Sequence, residues 1–149
     1  MTASHLYTQA VLDHYRSPRN FGELPGFTHA ADGHNPLCGD SLHIQLHASG
    51  GRIAAMRFRG EACAIATATA SMLSELAVGR QPEELATLAA SFRRLVGGEL
   101  AQDPLLMELN AMCELAHHPL RQKCALLAFA TLAAALEGDG TASTEGTVE

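Results

Sequence analysis

Two short runs with strand periodicity, joined by a glycine turn, most constrain what this chain can fold into. In residues 42–47 apolar and polar side chains alternate, and the sequence "SGGR" separates this run from a second one at residues 53–58. Alternation around a turn of this composition is typical of a β-hairpin with one buried face. His43 and His47 fall on the polar side of the alternation, so we expect them on the outer, solvated face.

Helical signals lie on both sides of this hairpin, but most of them follow it. One amphipathic helix is predicted from Ser4 to the residues before Pro18. Four more are expected at Ala64 to Val78, from Pro82 to "RRLVGG", from Asp103 through "DPLLMELNAM", and from about Pro119 through "LRQKCALLAFATLAAALEG". Strands that precede a series of helices favour an α+β domain, with helices packed on a small antiparallel β-sheet.

Length, charge and hydropathy exclude several classes of protein. A chain of 149 residues with 47% hydrophobic content fits one compact domain, which we place at residues 1–137. Residues 138–149 are polar and rich in glycine and threonine, so we expect a disordered tail there. The net charge of -6 and the absence of a basic cluster argue against nucleic-acid binding. No signal peptide or membrane-spanning run is recognisable, so we expect a soluble, cytoplasmic protein without a membrane partner.

The four cysteines are the main candidates for chemistry. In a reducing compartment, cysteines are better interpreted as metal ligands or redox nucleophiles than as disulfides. Cys38 lies in the Pro/Gly turn "NPLCGD", while Cys63 and Cys124 fall at or near predicted helix starts, where the helix dipole should favour thiolates. Cys113 falls at the C-terminal end of a predicted helix, so we interpret it as a buried core residue.

Asp40 adds an oxygen donor beside the first of these cysteines. Together with Cys38, Cys63 and Cys124 it would make a four-ligand set that suits tetrahedral zinc, although soft thiolates also suit iron–sulfur chemistry. The separations between the cysteines match no standard zinc finger, and a purely structural zinc site is an alternative. His117 or His118 could also replace Asp40 as the fourth ligand.

Four segments together resemble signatures of the IscU/NifU N-terminal family of iron–sulfur cluster assembly proteins. They are "LYTQAVLDHYRSPRNFGEL", "NPLCGD", "FRGEACAIATATASML" and "RQKCALLAFATL", and they occur in the order of the family. The resemblance implies an α+β fold of SufE/NifU-like architecture and a pyridoxal-phosphate-dependent cysteine desulfurase as partner. It also implies that cysteine accepts persulfide sulfur, and that Cys38, Asp40, Cys63 and Cys124 form the functional set.

Two departures from the scaffold-type pattern resemble the SufU branch of this family. Lys123 stands where scaffold-type members carry histidine, and the chain contains the additional stretch "SFRRLVGGELAQDPL". Phe129 stands where SufU-type sequences often place tryptophan. The resemblance implies a zinc-dependent sulfurtransferase that takes sulfur from a SufS-type desulfurase and relays it to a downstream iron–sulfur assembly complex. Cys38 is the expected acceptor, because it lies in the most flexible of the three cysteine sites, beside Gly39. The alternative is a scaffold on which a transient iron–sulfur cluster is assembled.

Overall fold

A computed structural model of the chain describes residues 8–138 and 140–143. The strands are β1 (His29–Asn35), β2 (Asp40–Ser49), β3 (Arg52–Glu61) and β4 (Thr141–Ser143). The helices are α1 (Gln9–Arg16), α2 (Ala64–Ala77), α3 (Pro82–Val96) and α4 (Pro119–Glu137), and a 3₁₀ segment covers Pro104–His117. One sheet with helices packed on it confirms the α+β fold.

The sheet is built around the predicted hairpin, with strand order β3-β2-β1-β4. β2 pairs antiparallel with both β3 and β1, whereas the short β4 runs parallel to β1. The apolar side of the alternation predicted for β2 is confirmed, because Leu42, Ile44 and Leu46 are all buried. On the other side His47 is exposed and His43 is half-buried, but Gln45 is buried. Gly50 and Gly51 link β2 to β3, both at positive φ, a conformation that glycine adopts without strain and that suits a tight hairpin turn.

The core forms where α2 and α4 cover one face of the sheet. α4 packs on β1 and β2, while α2 packs on β3, α4 and α1. Buried alanines on α2, among them Ala66 and Ala70, permit close approach of these neighbours. This packing brings the start of α2 and the second turn of α4 to the end of the sheet where β1 turns into β2.

The segment that begins at Pro104 starts where we predicted, but it is a 3₁₀ helix rather than an α-helix. Asp103 caps it, since its Oδ1 accepts a hydrogen bond from the Leu105 N–H at 3.0 Å. Met107, at φ 53° and ψ −127°, interrupts the helical conformation. The side chain of Asn110 donates to the carbonyl oxygens of Asp103 and Met107, so side-chain contacts supplement the backbone hydrogen bonds of this segment.

Asp13 and His14 are adjacent on α1, but their side chains have different surroundings. Asp13 is exposed, with its Oδ2 2.6 Å from Nη2 of Arg19, but His14 is fully buried. The imidazole Nδ1 lies 2.6 Å from the Ser71 Oγ and Nε2 lies 2.7 Å from the Glu108 Oε1. His14 therefore links α1 to α2 and to the 3₁₀ segment, because it lies on the face of α1 that packs against them.

The ends of the described chain correct a second expectation. Gly138, at φ 81°, ends α4, and Thr141–Ser143 then form β4 beside β1 instead of a disordered tail. Residues 4–7 of the predicted first helix and 144–149 of the predicted tail lie outside the described residues. Within residues 8–138 and 140–143, no helix combines the length and apolar character needed to cross a bilayer.

Candidate metal centre

The β1–β2 turn presents Cys38 at the surface and Asp40 beneath it. Asn35, the last residue of β1, pairs with Asp40, the first residue of β2. The Asn35 carbonyl oxygen accepts hydrogen bonds from the N–H groups of Cys38 (3.2 Å) and Gly39 (2.9 Å). Gly39 has φ 74°, where a side chain would add strain. The turn thus leaves Cys38 half-buried while Asp40 is buried.

The structure groups three of the predicted ligands at this turn and places the fourth beside them. The Sγ atoms of Cys38 and Cys124 lie 3.3 Å apart. One donor atom from each of Cys38, Asp40 and Cys124 falls within 4.8 Å of the other two. Cys63 borders this group, with its Sγ 4.0 Å from the Asp40 Oδ2. Residues separated by more than 80 positions in the chain therefore share one site.

Hydrogen bonds fix both carboxylate oxygens of Asp40. The N–H of Cys63 donates to Oδ1 at 2.9 Å, and the Asn35 Nδ2 donates to Oδ2 at 3.1 Å. The first of these donors is at the N-terminus of α2, where N–H groups lack partners within the helix. Asp40 thus connects the turn to α2.

Cys63 lies where the sequence predicts an activated thiol. It is the N-cap of α2, and the N–H of Ala66 points to its Sγ at 3.5 Å. The hydrogen bond with the Cys124 thiol, aided by backbone N–H groups of the first turn, lowers the pKa of Cys63 to about 7. This agrees with the effect expected at a helix N-terminus.

The surroundings of Cys124 oppose the ready ionisation that its place near a helix start predicts. Cys124 is fully buried in the second turn of α4, away from the orphan N–H groups of its first turn. The hydrogen bond with Cys63, burial, and the neighbouring Asp40 and Cys38 raise the pKa of Cys124 well above its usual range. A bound cation would reverse this balance, because a coordinating thiol is deprotonated.

The other candidates do not join this site. Cys113 is half-buried and packs against the hydrophobic core from the 3₁₀ segment. His117 and His118 line a shallow pocket of about 300 Å³ with the first residues of α4. Among the described residues, neither histidine belongs to a group of donor atoms close enough to hold a metal. The geometry therefore favours Asp40 over either histidine as the ligand that is not a cysteine.

Sequence reasoning missed Asn35 as part of the site. This residue is 1% exposed, and its Nδ2 lies 3.1 Å from the Asp40 Oδ2 and 3.5 Å from the Cys124 Sγ. The signal available was its place in "NPLCGD", which makes it the cross-strand partner of Asp40 once β1 is recognised.

The donor set has the chemistry and spacing that zinc accepts. Bond lengths of about 2.0–2.3 Å in a tetrahedral zinc site hold neighbouring donor atoms roughly 3.3–3.8 Å apart. The distances of 3.3 Å for Cys38 to Cys124 and 4.0 Å for Cys63 to Asp40 are close to this range. Cys38, Asp40 and Cys124 thus form a group that fits the ion, and Cys63 lies beside this group.

Comparisons with known proteins relate the chain to iron–sulfur cluster assembly proteins. The chain is 31% identical to the iron–sulfur cluster assembly scaffold protein IscU of Thermotoga maritima over 137 residues, 92% of this chain and 96% of that protein. It is 32% identical to the zinc-dependent sulfurtransferase SufU of Bacillus subtilis over 128 residues, 85% of this chain and 86% of that protein.

A solved structure extends the likeness to three dimensions. The SufU crystal structure from Fervidobacterium islandicum matches with a TM-score of 0.84 at 23% identity, covering 91% of this chain and 99% of that one. The family model for the NifU-like N-terminal domain matches residues 6–137, nearly the whole chain. The chain therefore belongs to the NifU-like N-terminal domain family, whose members serve in iron–sulfur cluster assembly.

Proposed function

We propose that this protein is a zinc-dependent sulfur carrier, which accepts persulfide sulfur from a cysteine desulfurase on Cys38. The observation that carries the proposal is the placement of this thiol. Cys38 stands half-buried on a turn, yet its Sγ lies 3.3 Å from that of the buried Cys124. It is thus part of a donor set and accessible to a partner protein; Cys63 has a similar exposure, whereas Cys124 is buried.

In this proposal Cys38, Asp40, Cys63 and Cys124 hold the zinc ion. Zinc supplies charge that keeps ligating thiols deprotonated, and it has no redox chemistry that would oxidise them. The name of the Bacillus subtilis relative, a zinc-dependent sulfurtransferase, supports this choice of metal. Lys123 supports it as well, because a protonated lysine is a poor ligand and leaves Asp40 as the non-sulfur donor.

The transfer step is a thiol–persulfide exchange. The Cys38 thiolate attacks the outer sulfur of a persulfide on the desulfurase, a new sulfur–sulfur bond forms on Cys38, and the desulfurase cysteine leaves as a thiolate. The step needs no external oxidant, because the sulfur already carries the required oxidation level. The same exchange in the opposite sense passes the sulfur from Cys38 to a downstream iron–sulfur assembly complex.

Cys38 is better suited to this exchange than the other two cysteines of the site. Cys63 caps α2, and Cys124 is buried within α4, so moving either sulfur outward requires displacement of a helix. Cys38 is carried by a turn beside Gly39, whose Cα faces open space. The partner that we propose is a pyridoxal-phosphate-dependent desulfurase of the SufS type.

A scaffold for cluster assembly is the second candidate. The specific observation in its favour is the Thermotoga maritima relative, a scaffold protein matched over 96% of its length. Three thiols in one site also suit iron–sulfur ligation.

Elemental analysis of the protein as isolated separates these two candidates. We expect about one zinc per chain and no stoichiometric iron or acid-labile sulfide, as a closed site with a carboxylate and three thiolates predicts. Iron with sulfide in stoichiometric amounts, after anaerobic purification, would contradict the carrier and favour the scaffold.

Replacing Asp40 tests the identity of the fourth ligand. We expect Asp40→Ala to weaken zinc retention on the order of 100-fold, because it removes a ligand and leaves the Cys63 N–H without its acceptor. His117→Ala and His118→Ala should change retention little. Competition with a chromophoric chelator measures all three, and a larger loss in either histidine variant would show that the fourth donor is misassigned.

A further inference from the structure

We propose that Asn35 is a positioning residue of the metal centre, which orients Asp40 and Cys124 and shapes the turn that carries Cys38. The inference deepens the proposed function and rests on the metal site described there. Asn35 lies at the end of β1 and is 1% exposed. It does not ligate the metal in this proposal, but contacts residues that do.

Both the side chain and the main chain of Asn35 make hydrogen bonds to the proposed ligands. Its Nδ2 lies 3.1 Å from the Asp40 Oδ2 and 3.5 Å from the Cys124 Sγ, so the two amide hydrogens can serve one ligand each. Its carbonyl oxygen accepts the N–H groups of Cys38 and Gly39. One residue therefore touches three of the four proposed ligands.

The remaining polar atom of the Asn35 side chain indicates that stability alone does not explain this residue. Its Oδ1 is buried and has no hydrogen-bond partner among the described residues. Rotating the amide by half a turn would place this oxygen against the Asp40 Oδ2, so the contact with Asp40 determines the orientation. An unsatisfied buried acceptor destabilises the folded chain, and a side chain retained only for packing would not incur this cost.

The two hydrogens of the Asn35 side-chain amide are directed at the Asp40 Oδ2 and the Cys124 Sγ. Both of these atoms carry negative charge when they bind a metal. Four anionic ligands bring more negative charge to the site than a divalent ion neutralises, so donors directed at the ligands stabilise the complex. The Cys63 N–H donates a hydrogen bond to the other carboxylate oxygen of Asp40, and the Ala66 N–H donates to the sulfur of Cys63. Among the contacts of this site, Asn35 supplies the side-chain amide that reaches Cys124.

Two substitutions at this position, with a matched control, test the inference. Asn35→Ala removes the amide, and Asn35→Asp keeps its shape but replaces both N–H groups with an acceptor. The control is Asn110→Ala, since Asn110 is a partly buried asparagine whose contacts are with Asp103 and Met107 in the 3₁₀ segment. Zinc affinity is measured by chelator competition, and the thermal midpoint of each metal-free variant is measured alongside.

We expect both Asn35 variants to bind zinc about 10- to 100-fold more weakly than the wild type, with Asn35→Asp the weaker binder. Asn110→Ala should bind within about twofold of the wild type, even if its midpoint falls. Cobalt substitution adds a second readout, because an altered thiolate-to-cobalt absorption band reports changed ligand geometry that a merely structural role would not produce.

Several results would overturn the inference in distinguishable ways. Wild-type affinity in both Asn35 variants would reject Asn35 while leaving the proposed metal site intact. An equal loss in Asn110→Ala would reject it too, since the effect would then be general destabilisation. A wild-type protein that binds no zinc would reject the metal site itself and this inference with it. If Asn35→Ala fails to fold, Asn35→Asp decides, because it preserves the volume of the side chain.

Discussion

Cys38→Ser is expected to abolish stimulation of a SufS-type cysteine desulfurase by this protein. A serine hydroxyl has a far higher pKa than a thiol and cannot carry a persulfide, so the acceptor of the sulfur is lost. We expect desulfurase turnover, followed as sulfide release from cysteine, to fall to the rate of the desulfurase alone. Binding of the two proteins can persist, because the substitution changes one atom on an exposed turn.

Cys113→Ser is the matched control for this experiment. Cys113 packs against the core from the 3₁₀ segment and does not belong to the donor group at the β1–β2 turn. Stimulation by this variant should remain close to that of the wild type. Stimulation that survives in Cys38→Ser, or that is lost equally in Cys113→Ser, would contradict the assignment of Cys38.

Removal of the metal is expected to lower the thermal midpoint by on the order of 10 °C. The four proposed ligands come from three parts of the fold: the β1–β2 turn, the start of α2 and the second turn of α4. A metal among them links the sheet to both helices, so its binding energy contributes to the stability of the folded chain. The comparison is between zinc-loaded protein and protein after chelation, with metal loss confirmed by elemental analysis.

Asp40→Ala supplies the control for the chelator itself. This variant should already have lost most of its zinc, so chelation should shift its midpoint much less than that of the wild type. An unchanged wild-type midpoint after confirmed metal loss would count against a shared site that joins Cys63 and Cys124.

Local signals were sufficient to predict the elements that carry most of the site. The alternation of Leu42, Ile44 and Leu46 placed β2 correctly, and α2 begins directly after Cys63 as expected. The family resemblance, rather than the spacing of the cysteines, singled out Cys38, Asp40, Cys63 and Cys124, of which Cys38, Asp40 and Cys124 form one donor group in the structure. Strand β2 and helix α2 could be predicted because each carries its own periodicity or cap.

The parts that were missed depend on contacts between distant segments. β1 went unrecognised because its buried positions are Ala31, Gly33 and Asn35, which produce no alternation of large apolar residues. Gly33 is required there because a Cβ at this position would collide with Thr131 of α4. Such a close approach of helix and strand cannot be inferred from either segment alone.

The same limit explains His14 and Cys124. His14 is polar in sequence, and only the packing of α1 against α2 and the 3₁₀ segment reveals that it is buried with two partners. Cys124 is near a helix start in sequence, but its pKa depends on Cys63, Asp40 and Cys38, which come from other elements. Without their positions, the helix dipole gives the wrong direction for this thiol.

Mass spectrometry of the wild-type protein after incubation with desulfurase and cysteine tests the central claim most directly. Peptide mapping assigns any added sulfur to one of the four cysteines, and omission of cysteine gives the background. The sulfur-carrier account predicts a persulfide on Cys38 that is absent from Cys38→Ser. An adduct on Cys63, Cys113 or Cys124 with Cys38 unmodified, and with Cys38→Ser still competent, would contradict it.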